Sequence, residues 1–179
     1  MRGPTHTLAM AALLASSTPS LASPRGWDRA SSIGRTGLVA VALGLPAIKG
    51  DWEGAARSGV AMGGTSLVTY GLKRAIPETR PDGSDRQSFP SGHTSVSFAA
   101  AASLESRYGW QAGFPAFAVA TFVGIARVQA KKHFVADVIA GAAIGTAAGF
   151  LAGKRQNARV QILPWADLHG GGADLAMRF

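Results

Sequence analysis

Apolar and polar positions divide this chain into long, nearly uncharged stretches separated by short charged ones. A polar lead-in, Trp27 to Arg35, gives way to an apolar run that predicts a first helix over Thr36 to Ile48. A second helix is predicted from about Gly54 to Ala75, where Pro77 stops it. Ser91 then reads as the N-cap of a third helix that runs through Ser95 to Leu104, a stretch of good helix formers, and ends near Gly109. The fourth helix is expected from around Pro115, a favoured first-turn residue, to Arg127, and the fifth from near His133 to Gly153. Gly141, Gly145, Gly149 and Gly153 recur every four residues, which makes one smooth helix face for close packing. The tail changes period. Val160 to Ile162 and Ala173 to Phe179 alternate in steps of two around His169 and three glycines, which suggests a short hairpin. The expected fold class is all-α, a bundle of about five helices with a short C-terminal β-hairpin.

The first 22 residues have a different character. Arg2 supplies a positive start, Leu8 to Ala15 an apolar centre, and Ser20-Leu21-Ala22 the small residues of a cleavage site, the pattern of a secretory signal. His6 falls in that segment and is set aside. The domain reading is therefore a signal peptide over 1–22, a helical domain over 23–159 and a hairpin or tail over 160–179.

Composition sharpens this picture. The chain has 179 residues, enough for one domain with a real core; 47% are hydrophobic, 16% charged, and 23 are Gly. A net charge of +8 favours anionic partners. Nucleic acid is not among those expected, because no basic run is interleaved with aromatics. Cysteine is absent, which excludes disulfides, thiolate catalysis and zinc–thiolate sites.

Membrane association is expected, because the helices have little polar face to give to water. The mode stays open between integral, peripheral and soluble. Mean hydropathy is a modest +0.15, and the longest uncharged stretch, Tyr108 to Ala126, is interrupted by Gly109, Gln111, Gly113 and Pro115. Ser58 to Leu72 and Val138 to Gly153 fall short of the roughly 20 residues a spanning helix needs. Cations gather at two ends: Lys49, Arg57, Arg107, Lys154 and Arg155 at one, Lys73, Arg80, Arg127, Lys131 and Lys132 at the other. For an inserted bundle, the positive-inside bias makes the first end cytoplasmic and turns the second outward.

Candidate chemistry lies at that second end, in three blocks. Lys73 closes a helix, with Arg80 seven residues on. Phe89-Pro90-Ser91-Gly92-His93-Thr94 opens the third helix, whose N-terminus offers unpaired N–H donors and partial positive charge to an anion. Gly92 admits close approach to the backbone, and His93 sits beside it. In the third block Arg127 precedes His133 and Asp137, which are four apart and share a helix face, so the carboxylate can hold the imidazole's tautomer. Lys131 and Lys132 near a helix start oppose the dipole preference for acids, a departure that could serve to draw in an anion. Asp82 to Asp85 reads as a structural turn.

Lys-x(6)-Arg-Pro, Pro-Ser-Gly-His and Arg-x(5)-His-x(3)-Asp, in that order, resemble the three-part signature of the type 2 phosphatidic acid phosphatase superfamily. The resemblance covers about Gly54 to Gly153. It implies that His133 is a nucleophile forming a phosphohistidine, that Asp137 orients it and that His93 protonates the leaving alcohol. Lys73, Arg80 and Arg127, with the Ser91 hydroxyl and the Gly92 N–H, would cradle the phosphoryl oxygens. One departure is Ala126, where the family usually has Ser; this removes a hydroxyl but no charge. Physically, fixed cations and donors suit a loose phosphoryl transition state, and three cations can supply them without a metal or other cofactor. The chain has no phosphate-binding Gly-x(4)-Gly-Lys-Ser/Thr loop and no Asp-x-Asp pair, and only His93 and His133 remain as plausible metal ligands.

The expected function is a metal-independent phosphomonoesterase of the bacterial cell envelope, its site on the periplasmic side. Its partner would be a phosphorylated lipid or pyrophosphate, or a small phosphomonoester. The alternatives are a vanadium-dependent haloperoxidase on the same scaffold and a non-catalytic protein that binds phosphate or lipid headgroups.

Overall fold

Five helices follow one another: α1 (Pro24–Ile48), α2 (Trp52–Ala75), α3 (Gly92–Tyr108), α4 (Trp110–Gln129) and α5 (Val135–Gly153). The computed structural model describes residues 23–153, 160–167 and 170–177. The proposed signal segment, His6, Lys154, Arg155 and His169 lie outside the described residues. The C-terminal β-hairpin expected over 160–179 is not supported as part of the fold. The fold class rests on the helices.

Two helices begin earlier than the apolar pattern indicates. Ser23 caps α1 by accepting from the Gly26 N–H at 3.0 Å, and Pro24 stands in the first turn, so the polar lead-in is helical. Its polar residues Asp28, Ser31, Ser32 and Arg35 follow helical spacing, which marks a helix with a polar stripe. α4 starts at Trp110, directly after Gly109, and holds Pro115 inside its second turn. Gly109, at φ +79°, makes the corner: its N–H closes α3 on Glu105 O at 2.8 Å, and its carbonyl accepts from Ala112 N at 3.1 Å to open α4. α5 starts two residues after His133, which leaves that side chain on the connecting loop.

α3 is the central helix, packed against all four others, and its buried face is made of small residues: Ala99 to Ala102 are fully buried, with Thr94, Ser95 and Ser97 beside them. α5 lies closest to it. A Cβ built on Gly141, Gly145 or Gly149 would stand 2.6, 2.0 or 2.6 Å from the carbonyl oxygens of Ser91, Ser95 and Ala99, so the glycine stripe sets backbone against backbone. Large apolar side chains point the other way: Leu67, Val60, Ile139 and Phe114 are all more than 60% exposed. Small residues inside and large ones outside is the arrangement of helices packed in lipid. Pro24–Ile48, Trp110–Gln129 and Val135–Gly153 are each long and apolar enough to cross a membrane. The early starts of α1 and α4, and the full length of α5, supply spans that the sequence pattern left short.

The bundle's two ends differ as the cations suggested. At one end Asp51 caps α2 through the Gly54 N–H at 3.0 Å and takes Arg107 and the Tyr108 hydroxyl, the latter at 2.8 Å. Lys49 lies over the Tyr108 ring and Arg57 donates to Ala152 O there. The other end gathers the three motif blocks.

Candidate active site

The site is built where α2, α4 and their following loops meet the start of α3 and α5. His133 is buried, 3% exposed, although the residues on either side of it are solvent-accessible. Its Nδ1 faces Asp137 Oδ2 at 3.3 Å and its Nε2 faces Arg80 Nη1 at 3.4 Å. A guanidinium can only donate, so Nε2 is the unprotonated nitrogen and Nδ1 carries the hydrogen toward the carboxylate. That tautomer leaves a lone pair on Nε2, among cations. Burial, then the charges of Arg127, Arg80 and Lys73, hold the His133 imidazole well below its ordinary value and keep it neutral.

Asp137 is fully buried and held from several sides. Its Oδ2 accepts from Ser88 Oγ at 2.5 Å and from the Phe134 N–H at 2.9 Å, and its backbone carbonyl accepts from Ser91 N at 3.0 Å. Glu78, half-buried on the loop after α2, faces the same carboxylate; its burial and the Asp137 charge push its carboxyl above the usual range.

The cations are placed by separate elements. Lys73, in the last turn of α2, donates from Nζ to Gln87 O at 2.6 Å and Ser88 O at 3.1 Å, which ties down the loop that leads into α3. Arg80 donates from Nε to Asp85 Oδ1 at 2.7 Å and from Nη1 to Lys132 O at 3.2 Å. Arg127 is buried at the end of α4, engaged by Asp28 and by Ser31 Oγ at 3.3 Å, with its Nε unpaired among the described residues. His93, in the first turn of α3, lies near enough to Arg127 to feel its charge, and its Nε2 meets Ser32 Oγ at 3.2 Å. A Cβ on Gly92 would stand 4.0 Å from Lys73 Cε, so the helix start and the α2 lysine adjoin.

Lys73, Arg80, Gly92, His93, Arg127, His133 and Asp137 thus gather at one end of the bundle. Ser91 departs from the expected geometry. It is the N-cap of α3, but its hydroxyl caps no backbone N–H; it is buried and paired with Thr94 Oγ1 at 2.9 Å. Lys132 is also committed elsewhere, to Asp82 at 2.6 Å, so it is not the free anion lure that its position suggested, while Lys131 is an exposed turn residue at φ +56°. Asp82 to Asp85 is the turn expected of it, with Ser84 N donating to Asp82 Oδ1 at 3.0 Å and Gly83 at φ +70°. Sequence reasoning missed Ser88, Glu78 and the α1 residues Asp28, Ser31 and Ser32. The helical spacing of the α1 polar residues was the available signal for those three.

An all-α bundle that buries a histidine–aspartate couple among three cations at one end is built to handle a multiply charged anion. The chain belongs to the PAP2 superfamily, whose profile matches residues 54–160. Among curated relatives, 93 residues, half of this chain, are 39% identical to the lipid A 1-phosphatase of Porphyromonas gingivalis, and 112 residues, 56% of the chain, are 30% identical to the lipid A 4'-phosphatase of Helicobacter pylori. The matches span 20% and 57% of those relatives' own lengths. The fold is shared with Aquifex aeolicus LpxE (TM-score 0.62, 22% identity, 72% of this chain and 84% of that one). It is shared too with the first transmembrane PAP2 type phosphatidylglycerolphosphate phosphatase from Bacillus subtilis (TM-score 0.59, 24% identity, 72% and 74%).

Proposed function

We propose that the protein is a phosphatase that hydrolyses a membrane lipid phosphate through a phosphohistidine at His133. The observation that carries this reading is the His133 imidazole, neutral and held between Asp137 and Arg80 with its Nε2 lone pair turned to the cations. In the first step Nε2 attacks phosphorus, the P–N bond forms as the bond to the leaving oxygen breaks, and His93 gives that oxygen its proton. Water then attacks the phosphohistidine with His93 taking a proton, which releases phosphate and restores Nε2. Asp137 stabilises the cationic imidazole that forms on attack. Lys73, Arg80, Arg127 and the Gly92 N–H hold the phosphoryl oxygens, and these cations supply the charge a metal ion would otherwise bring.

The membrane setting follows from the apolar outer surface and the three helices of spanning length. With the Arg107 end cytoplasmic, the site faces the periplasm, in keeping with the signal-like first 22 residues. The named relatives make lipid A phosphates the first substrates to try. The test is phosphate release from an aryl phosphate and from lipid phosphates, with EDTA present, together with acid-quench trapping of labelled phosphoenzyme. Wild type should turn over and trap label, and His133→Ala should do neither. Turnover in His133→Ala, or its abolition by EDTA, overturns the mechanism.

A further inference from the structure

Asp137, the carboxylate that faces His133, is answered at only one of its two oxygens. Its Oδ2 meets Ser88 Oγ at 2.5 Å, the Phe134 N–H at 2.9 Å and His133 Nδ1 at 3.3 Å, while Oδ1 is buried with no hydrogen-bond partner among the described residues. A buried charged oxygen left unpaired is costly, so a donor is expected beside it. Glu78 is the group in hydrogen-bonding reach of this carboxylate that has no other engagement: burial and Asp137 are what act on its carboxyl. Its backbone is pinned in place. Glu78 O accepts from Ser88 N at 2.9 Å and Glu78 bridges to Gln87, so the strand of loop that carries Glu78 is tied to the one that carries Ser88.

We propose that Glu78 is a positioning residue that keeps its proton and donates it to Asp137 Oδ1, a reading that rests on the proposed phosphatase activity. Two carboxyl groups in contact cannot both ionise cheaply, so the pair carries one charge. Their partners decide which group holds it. Asp137 receives a hydroxyl, an amide and an imidazole on Oδ2, all of which favour the charged form, whereas no donor reaches the Glu78 carboxyl among the described residues. The proton therefore stays on Glu78, and its burial and the Asp137 charge push its carboxyl above the usual range in the same sense. Asp137, from α5, is the charge that faces Glu78. Lys73 of α2 bears on Asp137, Arg80 lies beyond the His133 ring, and α3 presents the neutral Ser91 N–H to the Asp137 carbonyl. Held at both oxygens, the carboxylate cannot turn about its last bond, so Oδ2 stays on the Nδ1–H and the Nε2 lone pair keeps its direction. An ionised Glu78 would instead set a second negative charge beside the couple and offset the cations that hold the phosphoryl group.

The experiment measures kcat and KM for an aryl phosphate against pH in wild type, Glu78→Gln and Glu78→Ala, together with the infrared carbonyl band of the full chain in detergent. Glutamine keeps a donor that cannot ionise. Its kcat should match wild type in acid, and the ratio of the two should climb as pH rises through the Glu78 ionisation. Glu78→Ala leaves Oδ1 unanswered and should lose roughly 10-fold in kcat with KM kept. Wild type should show the carbonyl stretch of a protonated carboxylic acid at pH ~6, where an ordinary Glu is ionised, and Glu78→Gln should lack it. If Glu78→Ala does not fold, the band and the glutamine ratio decide. A missing band, a ratio that stays flat with pH, or a wild-type kcat in folded Glu78→Ala overturns the assignment, while wild-type aryl turnover upholds the phosphatase reading. A wild type that hydrolyses nothing brings both down together.

Discussion

The glycine stripe on α5 gives the most demanding test of how the fold sets the site. In Gly145→Ala the new Cβ would lie 2.0 Å from Ser95 O and 2.9 Å from Ala99 N, against a practical minimum near 3.0 Å, so α5 must move about 1 Å away from α3. The obstacle is backbone, which cannot rotate aside as a side chain can. Overpacking of this kind costs about 1–3 kcal/mol. Alanine's better helix propensity returns about 1 kcal/mol, leaving a net loss of about 0–2 kcal/mol. The displacement reaches the chemistry, because Asp137 sits two turns earlier on the same helix and is tied to α3 through Ser91 N at 3.0 Å. A shift of about 1 Å between the His133–Asp137 couple and the α3 residues is the size of misplacement that costs on the order of 100-fold in rate. The control is Gly44→Ala on α1, where a Cβ meets nothing within 4 Å and helix propensity alone operates. Thermal unfolding in detergent and aryl phosphate turnover measure the two effects. Gly145→Ala with wild-type stability and turnover, matching Gly44→Ala, would refute the claim that backbone contact between α3 and α5 positions the site.

Three further outcomes follow from the same geometry. Ser88→Ala removes the 2.5 Å hydrogen bond to Asp137; a hydrogen bond to a charge is worth about 1.5–3 kcal/mol, so kcat/KM should fall roughly 10- to 100-fold, and an unchanged value would free Asp137 of that dependence. His133 is held below its unfolded value of about 6.5, so as pH falls through that value the unfolded chain takes up this proton first; its penalty on folding is absent above pH ~6.5 and grows below it. The gap in unfolding temperature between wild type and His133→Gln should therefore vary with pH below ~6.5 and be constant above it, and ring-nitrogen NMR should show the Nδ1–H tautomer persisting at pH ~5. Asp51→Asn, at the opposite end, breaks the ion pair with Arg107, whose side chains are only 11% and 19% exposed; it should cost about 3 kcal/mol of stability and leave KM unchanged, a result kinetics and thermal unfolding report separately.

What the sequence revealed and what it concealed have a common cause. The five helices, the glycine face on α5 and the three motif blocks depend on residues close together in the chain, and each follows local rules of spacing, capping and charge. The missed features depend on faces. Trp27 to Arg35 read as a polar lead-in ahead of the first helix, yet it is helical, and Asp28, Ser31 and Ser32 turn toward Arg127 and His93 and spend their polarity there. Ser88 carries no signal in its local sequence, and only the packing of α5 against α3 brings Asp137 to its hydroxyl. Ser91 shows the opposite error: its position as N-cap was legible, but the direction of its hydroxyl depended on Thr94 one turn on.

The same division explains how one short chain can be apolar outside and ionic at one end. A bundle held together in lipid cannot rely on expelling large side chains from water, since lipid receives them as readily as a core does. Its packing must come from close backbone approach, and α3 provides this with alanines, serines and threonines against the glycines of α5. Small inner residues leave polar atoms inside; among the described residues the hydroxyls of Thr65, Ser97 and Ser103 have no partner, while others near the site end are answered, Thr69 with Ser95 at 3.0 Å, Ser91 with Thr94, Ser88 with Asp137. The hydroxyls leading up to the site therefore serve packing and the site together, for they allow the helices to close while holding the buried carboxylate of Asp137 that faces His133. On this reasoning the charged residues at the site need no large polar domain to support them. A helix of small residues is enough, provided that its neighbours approach as closely as the glycines permit.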